Sequence, residues 1–259
     1  MKTIYINDVD YHYEEFGSSD EVILFLHGLG ASSSSWHYQT PLFKNNYKIL
    51  VPDLRGQGQT PLGEQTFSFE LCADDLALFL EKLDVKKVHL CGFSLGGMVG
   101  AEFAIKYPHM LSSICLVNAI PSFKLNSLKY KIAYQIRRFA SRFLPLSFTA
   151  FLMSSVLFPK SRKLQKKLKD LVPFINKYGY IEALDAMQDW SVEKEFIKLT
   201  IPTLFVGSEF DYKVFDGKKD VVAKMKNSLH VEVTNAHHFV TWECADEFNT
   251  IYKKFLTSL

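Results

Sequence analysis

The run Gly92-Phe93-Ser94-Leu95-Gly96-Gly97 constrains this 259-residue chain more than any other stretch. Ahead of it, Lys87-Val88-His89-Leu90-Cys91 is short and mostly apolar, and reads as a strand buried in a parallel sheet. Behind it, Met98 to Tyr107 is rich in small residues and stops at Pro108, which reads as a helix. Gly-x-Ser-x-Gly between a strand and a helix is the setting of a sharp turn that lifts a serine hydroxyl clear of the sheet's carboxyl edge. The turn strains the serine backbone, and its neighbours must be small for strand and helix to close on each other. It also aims the first amides of the helix, Leu95 foremost, at any oxyanion formed beside Ser94.

The surrounding pattern supplies the sheet. Thr3–Ile6 and Tyr11–Phe16 alternate as a two-stranded antiparallel start, with Asn7-Asp8 opening the turn. Val22–Leu26, Tyr47–Val51, Leu111–Val117, Thr203–Gly207 and His230–Val233 read as further strands. Ser34 or Ser35 is expected to cap a helix to Phe43, and Ser68 one to Leu83; Asp216–Met225 and Ala245–Leu256 are read as later helices. Alternating strands and helices imply an α/β fold, with a mostly parallel central sheet covered on both faces. From Pro121 to Lys198 the period is helical and apolar sheet strands are missing. Residues 1–119 and 199–259 are therefore expected to form the α/β core. Residues 120–198 are expected to form a helical cap inserted after the sixth strand.

Composition narrows the function classes. At 47% hydrophobic and 22% charged, the chain has ample material for a core. No signal-peptide core opens it, and no apolar run approaches the roughly 20 residues of a membrane span. Four widely spaced cysteines read as reduced thiols of a cytoplasmic protein, and no metal-ligand spacing is present. The net charge of +2 is unevenly placed. Residues 120–169 hold twelve Lys/Arg and no Asp or Glu, while the rest carries 18 basic against 28 acidic groups. No nucleic-acid motif accompanies the basic segment.

A serine hydroxyl needs a base within hydrogen-bond reach, and the base needs an acid to orient it. In this turn architecture the acid and then the histidine follow the serine along the chain. Of the histidines after Ser94, His109 ends the helix and His230 begins a strand; His237 and His238 lie in the loop that returns to the sheet's carboxyl edge. His238 is read as the base. The loop after Thr203–Val206 offers Glu209 and Asp211, with Asp211 favoured, while Asn118 at the end of the preceding strand carries no charge. The Leu29 and Leu95 amides are read as the oxyanion hole, each donor worth about 3 kcal/mol in a transition state.

These motifs together resemble the α/β-hydrolase superfamily. They stand as HGLG at 27–30, PDLRGQGQT at 52–60, GFSLGG at 92–97, PTLFVGSEFD at 202–211 and NAHHFVTWECADEFN at 235–249. The resemblance covers nearly everything outside the expected cap. It implies a serine carboxylic-ester hydrolase that needs no metal or organic cofactor. His238 falls on the catalytic histidine position, and His237 on one where glycine is common. His27, Gly28, Phe93, Phe123 and Trp190 are expected to contact substrate, with other cap aromatics such as Phe139 and Phe143 as candidates for an apolar tunnel. Pimeloyl-carrier-protein methyl ester esterases and enol-lactone hydrolases are the branches the chain resembles. The first implies docking of an acidic acyl carrier protein through Arg137, Arg138 and Arg142. Attraction to an anionic lipid surface, as in a lysophospholipase or monoacylglycerol lipase, is the other reading of the basic cap. Lactone or carbon–carbon hydrolysis, acyl transfer and non-catalytic ligand reception use the same framework.

Overall fold

In the computed structural model, which describes residues 2–125, 127–212 and 215–259, the apolar runs become one eight-stranded sheet. Its strands are β1 (Lys2–Ile6), β2 (Val9–Phe16), β3 (Val22–Leu26), β4 (Lys48–Pro52), β5 (Val88–Phe93), β6 (Leu111–Val117), β7 (Thr203–Ser208) and β8 (Ser228–Val233). They lie in the order β1-β2-β4-β3-β5-β6-β7-β8. The β1–β2 and β2–β4 pairs are antiparallel, and all later pairs are parallel. Asn7 and Asp8 both take positive φ, 42° and 69°, the backbone a two-residue hairpin turn requires.

β3 and β7 are buried along their whole length, as strands covered on both faces must be. Alternate residues enter different cores: Leu24, Leu26, Leu90 and Leu116 face one layer, while Ile23, Phe25, Cys91 and Cys115 face the other. The first layer is closed by helices α1 (Phe69–Lys82) and α2 (Leu95–Lys106), the second by a C-terminal helix, Ala245–Leu256, with Trp36 and Phe43. Ser68 caps α1, its hydroxyl accepting the Leu71 N–H. All four cysteines are free, and three are buried.

Two expectations are corrected. The serine run forms no capped helix: Ser33–Trp36 is a single 3₁₀ turn, and Thr40–Phe43 is a separate short helix. The hydroxyls bond locally, Ser32 to Ser34 and Ser35 to the Ser32 carbonyl, and Trp36 is drawn into the core, stacked on Phe25 at 4.5 Å. The helix expected at 216–225 shrinks to Lys218–Val222.

Between β6 and β7 lie α3 (Leu128–Phe143), α4 (Leu146–Leu157), α5 (Arg162–Asp170) and α6 (Lys177–Met187). Ser127, Ser161 and Asn176 cap α3, α5 and α6. The two ends of this segment are fastened together. Phe123 N–H donates to the Trp190 carbonyl (2.7 Å), Val192 N–H to that of Pro121 (2.9 Å), and Ser122 bridges Ser191. Gly179 of α6 lies so close to the loop after β4 that an added Cβ would stand 1.9 Å from the Gly56 carbonyl oxygen. Among the described residues no helix is long and apolar enough to cross a membrane.

Candidate active site

β5 delivers Ser94 to the carboxyl edge of the sheet, and α2 starts at the next residue. Ser94 takes φ 51° and ψ −114°, a strained conformation for a residue with a side chain. Its neighbours hold it there. A Cβ on Gly92 would stand 2.4 Å from the Gly96 carbonyl oxygen, and one on Gly96 would stand 2.4 Å from that of Leu26. Ser94 N–H is tied to the Val117 carbonyl at 2.9 Å, which locks the turn onto β6.

The loops after β7 and β8 bring two further groups to the serine. His238 Nε2 lies 3.0 Å from Ser94 Oγ, and His238 Nδ1 lies 2.6 Å from Asp211 Oδ1. The carboxylate can only accept, so the ring proton sits on Nδ1 and leaves Nε2 free to take the serine proton. Asp211 is buried, which pushes its carboxyl pKa up as the largest single effect; His238 and then Lys218 together outweigh burial and hold it below the ordinary carboxylate value. Lys218 Nζ donates to Asp211 Oδ2 at 2.9 Å, and both side chains are buried. Glu209 points elsewhere, accepting the Asn235 N–H at 2.8 Å.

Asn118 and Lys218 were not singled out by their residue types. Asn118 ends β6 with φ 46°, and its side-chain amide donates to the His238 carbonyl (2.6 Å) and to Ser208 Oγ (2.7 Å). It thus fixes the histidine loop to the sheet. A polar residue at the end of a buried strand was the signal. For Lys218, part of a helix-forming stretch, no such signal exists. His237 turns away: its N–H donates to Glu243 Oε2 at 2.7 Å, and its ring Nδ1 lies 3.0 Å from Oε1.

Leu95 is the first residue of α2, so its amide has no intrahelical acceptor, and the Ser94 side chain does not cap the helix. In the loop after β3, Gly30 N–H is taken by Gln57 Oε1 and Ala31 N–H by the Gly28 carbonyl; the Leu29 amide has no acceptor among the described residues.

Ser94 and His238 open onto a cavity of about 380 Å³. Leu29, Phe93 and Phe123 line it from the sheet side, and α3 lines it with Tyr130, Tyr134 and Arg137. Aromatic rings surround the histidine, with Tyr212 at 4.6 Å and Phe215 stacked at 5.6 Å between centroids.

Three residues expected to contact substrate stand elsewhere. His27 is buried beneath the loop, where its Nε2 accepts the Leu54 N–H (3.0 Å) and its Nδ1–H donates to the Gly28 carbonyl (2.9 Å). Burial also lowers its pKa, against the pull of Asp53. Gly28 is covered by Phe93, whose ring would be 2.9 Å from an added Cβ. Trp190 stacks on Phe69 at 4.6 Å and donates its indole N–H to Glu102 at 2.9 Å, since a half-buried indole needs an acceptor. None of the three lines the cavity.

The arginines of α3 are corrected as well. Arg138 and Arg142 both bind Asp185 of α6, at 2.6 and 2.7 Å, so an acid outside the basic stretch compensates them. Arg137 lines the cavity and is half-buried there. No group of three or more His, Cys, Asp or Glu side chains that could hold a metal occurs among the described residues.

A family model for the alpha/beta hydrolase fold matches residues 21–244. A 3-oxoadipate enol-lactonase of Acinetobacter baylyi is 25% identical over 257 residues, covering 95% of this chain and 93% of the relative. A pimeloyl-[acyl-carrier protein] methyl ester esterase of Aeromonas hydrophila is 35% identical over 111 residues, 42% of either chain. The solved enol-lactonase of Burkholderia xenovorans LB400 superposes with a TM-score of 0.90 at 19% identity, covering 99% of this chain and all of the other.

Proposed function

We propose, from the premise that this chain belongs to the alpha/beta hydrolase fold family, that it is a serine hydrolase of carboxylic esters. The reading is carried by one observation: a continuous relay from Ser94 Oγ through both nitrogens of His238 to the buried Asp211 carboxylate, at 3.0 and 2.6 Å. Ser94 Oγ attacks the acyl carbon as His238 Nε2 takes its proton. The charge that develops on the carbonyl oxygen is met by the Leu29 and Leu95 amides. His238 then protonates the leaving alcohol, and the acyl group stays on Ser94. Water attacks this acyl-enzyme with His238 again as base, and the acid product leaves.

Residues 120–198 act as the cap of this site, a reading supported by the side chains that α3 contributes to the same cavity as Ser94. The cavity lies toward the small end of the roughly 300–1,000 Å³ range of ligand pockets, which favours a short or medium acyl group. An enol lactone and a methyl ester, the substrates named for two relatives, are both within the reach of this chemistry.

The test is hydrolysis of p-nitrophenyl esters from acetyl to palmitoyl by wild type and Ser94→Ala. An optimum at short or medium chain length, lost in the variant, is expected; full activity in Ser94→Ala would overturn the assignment.

For a partner surface, the outer face of α3 favours an anionic lipid interface over a carrier protein. Leu128, Ile132, Ile136, Phe139 and Phe143 follow one another at helical spacing on that face, and all are exposed, from 51% to 73%. Lys129 and Lys131 are exposed on the same helix. An apolar stripe with cations beside it is the pattern of an interfacial helix. Co-sedimentation with vesicles containing phosphatidylserine is expected, against none with phosphatidylcholine alone; equal binding to both, or to neither, would sink this reading.

A further inference from the structure

We propose that Arg137, together with Tyr212 and Thr149, forms a recognition site inside the cavity for a carboxylate on the substrate, so that the preferred ester carries a free acid group remote from the bond that is cut. The proposal deepens the hydrolase reading and rests on it for the position of the reacting bond.

The face of α3 opposite its exposed stripe carries Tyr130, Ala133, Tyr134 and Arg137 at spacings of three and four residues, and all four line the cavity. Arg137 reaches in held by one phenol. Its Nε and Nη2 donate to Tyr180 Oη at 3.1 and 2.7 Å, and its guanidinium lies over the Tyr180 ring, 5.6 Å from the centroid. A phenol oxygen carries no compensating charge. The neighbouring Arg138 and Arg142 share the Asp185 carboxylate, but no carboxylate binds Arg137 among the described residues, and no Asp or Glu lines the cavity. A guanidinium has five N–H donors in a planar fork, so Arg137 keeps donors to spare. A half-buried cation in an apolar wall without a counter-charge is costly, and among the described residues only the Tyr180 phenol and ring relieve it.

A second, independent observation comes from two hydroxyls that line the same cavity. Tyr212 Oη and Thr149 Oγ1 are both buried and have no hydrogen-bond partner among the described residues, and both residues line the cavity. Buried hydroxyls without a partner are uncommon, and these two, unlike the Tyr252 phenol or the Trp36 indole of the sheet body, line a cavity that can hold one. Burial pushes the Tyr212 phenol up, and the charge of Arg137 is the largest influence pulling it back, which marks the two as neighbours. The Tyr212 ring also packs 4.6 Å from that of His238, so the polar corner begins one side chain away from the reacting centre. An acyl chain with its ester at Ser94 and a carboxylate at Arg137 fills the apolar space between them. A carboxylate matches the planar fork and offers further lone pairs to the two hydroxyls.

The experiment compares two p-nitrophenyl esters of equal chain length, hexanoate and monoadipate, for wild type, Arg137→Met, Arg137→Lys and Thr149→Val. The quantity read is the ratio of kcat/KM for the acid ester over the neutral one, which cancels any loss of folded enzyme. A wild-type ratio of at least ten is expected, falling to one or below in Arg137→Met, with partial recovery in Arg137→Lys and a few-fold loss in Thr149→Val. A wild-type ratio of one or below, or a ratio that Arg137→Met leaves unchanged, would overturn the site. Inhibition of hexanoate hydrolysis by inorganic phosphate as strong as by adipate would overturn its assignment to carboxylates. If wild type cleaves neither ester, the hydrolase reading fails on its own. Calorimetric titration with adipate then decides the site: binding lost in Arg137→Met sustains it, and no binding to wild type overturns it.

Discussion

The sheet body and the helical segment between β6 and β7 handle buried charge in opposite ways. In the body, Arg55 and Asp75 pair at 2.6 Å with both side chains fully buried, and the network is closed by Tyr11, Asn7 and the Leu62 carbonyl. Nothing there is left for a ligand to do. In the segment, Arg137 enters a cavity with only a phenol to bind, while Arg138 and Arg142 meet their acid at a half-exposed surface. The same split holds for apolar groups. The body covers both faces of its central strands, whereas α3 leaves a whole stripe uncovered. A buried charge whose partners are all within the chain specifies structure; one left with donors to spare specifies what it meets.

The largest effect expected to sharpen this contrast is on turnover. Ser94→Ala should lower kcat on the best ester by about 10⁴-fold or more, and Asp211→Asn by roughly 10⁴-fold, while Glu209→Gln stays within about threefold of wild type. Comparable losses in Glu209→Gln and Asp211→Asn would break the assignment of the acid. Next comes stability. Asp75→Ala strands a buried guanidinium and should cost about 3–5 kcal/mol in urea unfolding, against less than about 1 kcal/mol for Arg142→Ala in its half-exposed pair. Equal costs would erase the distinction between the two regions.

A smaller effect concerns pH. Asp211 has a folded pKa below its unfolded value, so its ionisation stabilises the fold above about pH 4 and this contribution is lost as pH falls through the folded value. Lys218→Met removes one of the two groups that hold that pKa down. The loss should then begin at higher pH, read as a shift of urea midpoints between about pH 3 and 5; an unchanged profile would remove Lys218 from the account. Smallest is Phe139→Ser on the exposed stripe, expected to change stability by less than about 0.5 kcal/mol while reducing vesicle binding. A loss of several kcal/mol would mean the stripe is packed in solution.

What the sequence made legible follows the same division. Strand runs, the turn at Ser94 and the histidine loop could be read because burial on both faces forces continuous apolar runs, and the turn forces glycine at set positions. The segment resisted because side-chain direction on a helix depends on its neighbours. Arg137 and Arg138 are adjacent in sequence but point about 100° apart, and only the packing of α6 decides that one meets the cavity and the other Asp185. Trp190 read as a substrate contact for lack of any hint that Glu102 would accept its indole proton. The sequence offers Glu209 and Asp211 two residues apart in one loop, and the fold separates them: the Asn235 amide occupies Glu209 while His238 meets Asp211.

The fastening of Phe123 to Trp190 and of Pro121 to Val192 has a consequence for how this scaffold changes over time. Because the chain leaves and rejoins the sheet through one short clasp, the length between its two ends can change while its other ties to the body, Gly179 against Gly56 and Phe158 against Phe239, are kept. The clasp works as a socket. Helices from another protein, grafted at 121–123 and 190–192, would have to meet Gly56 and Phe239 as these do to leave Ser94, Asp211 and His238 in place.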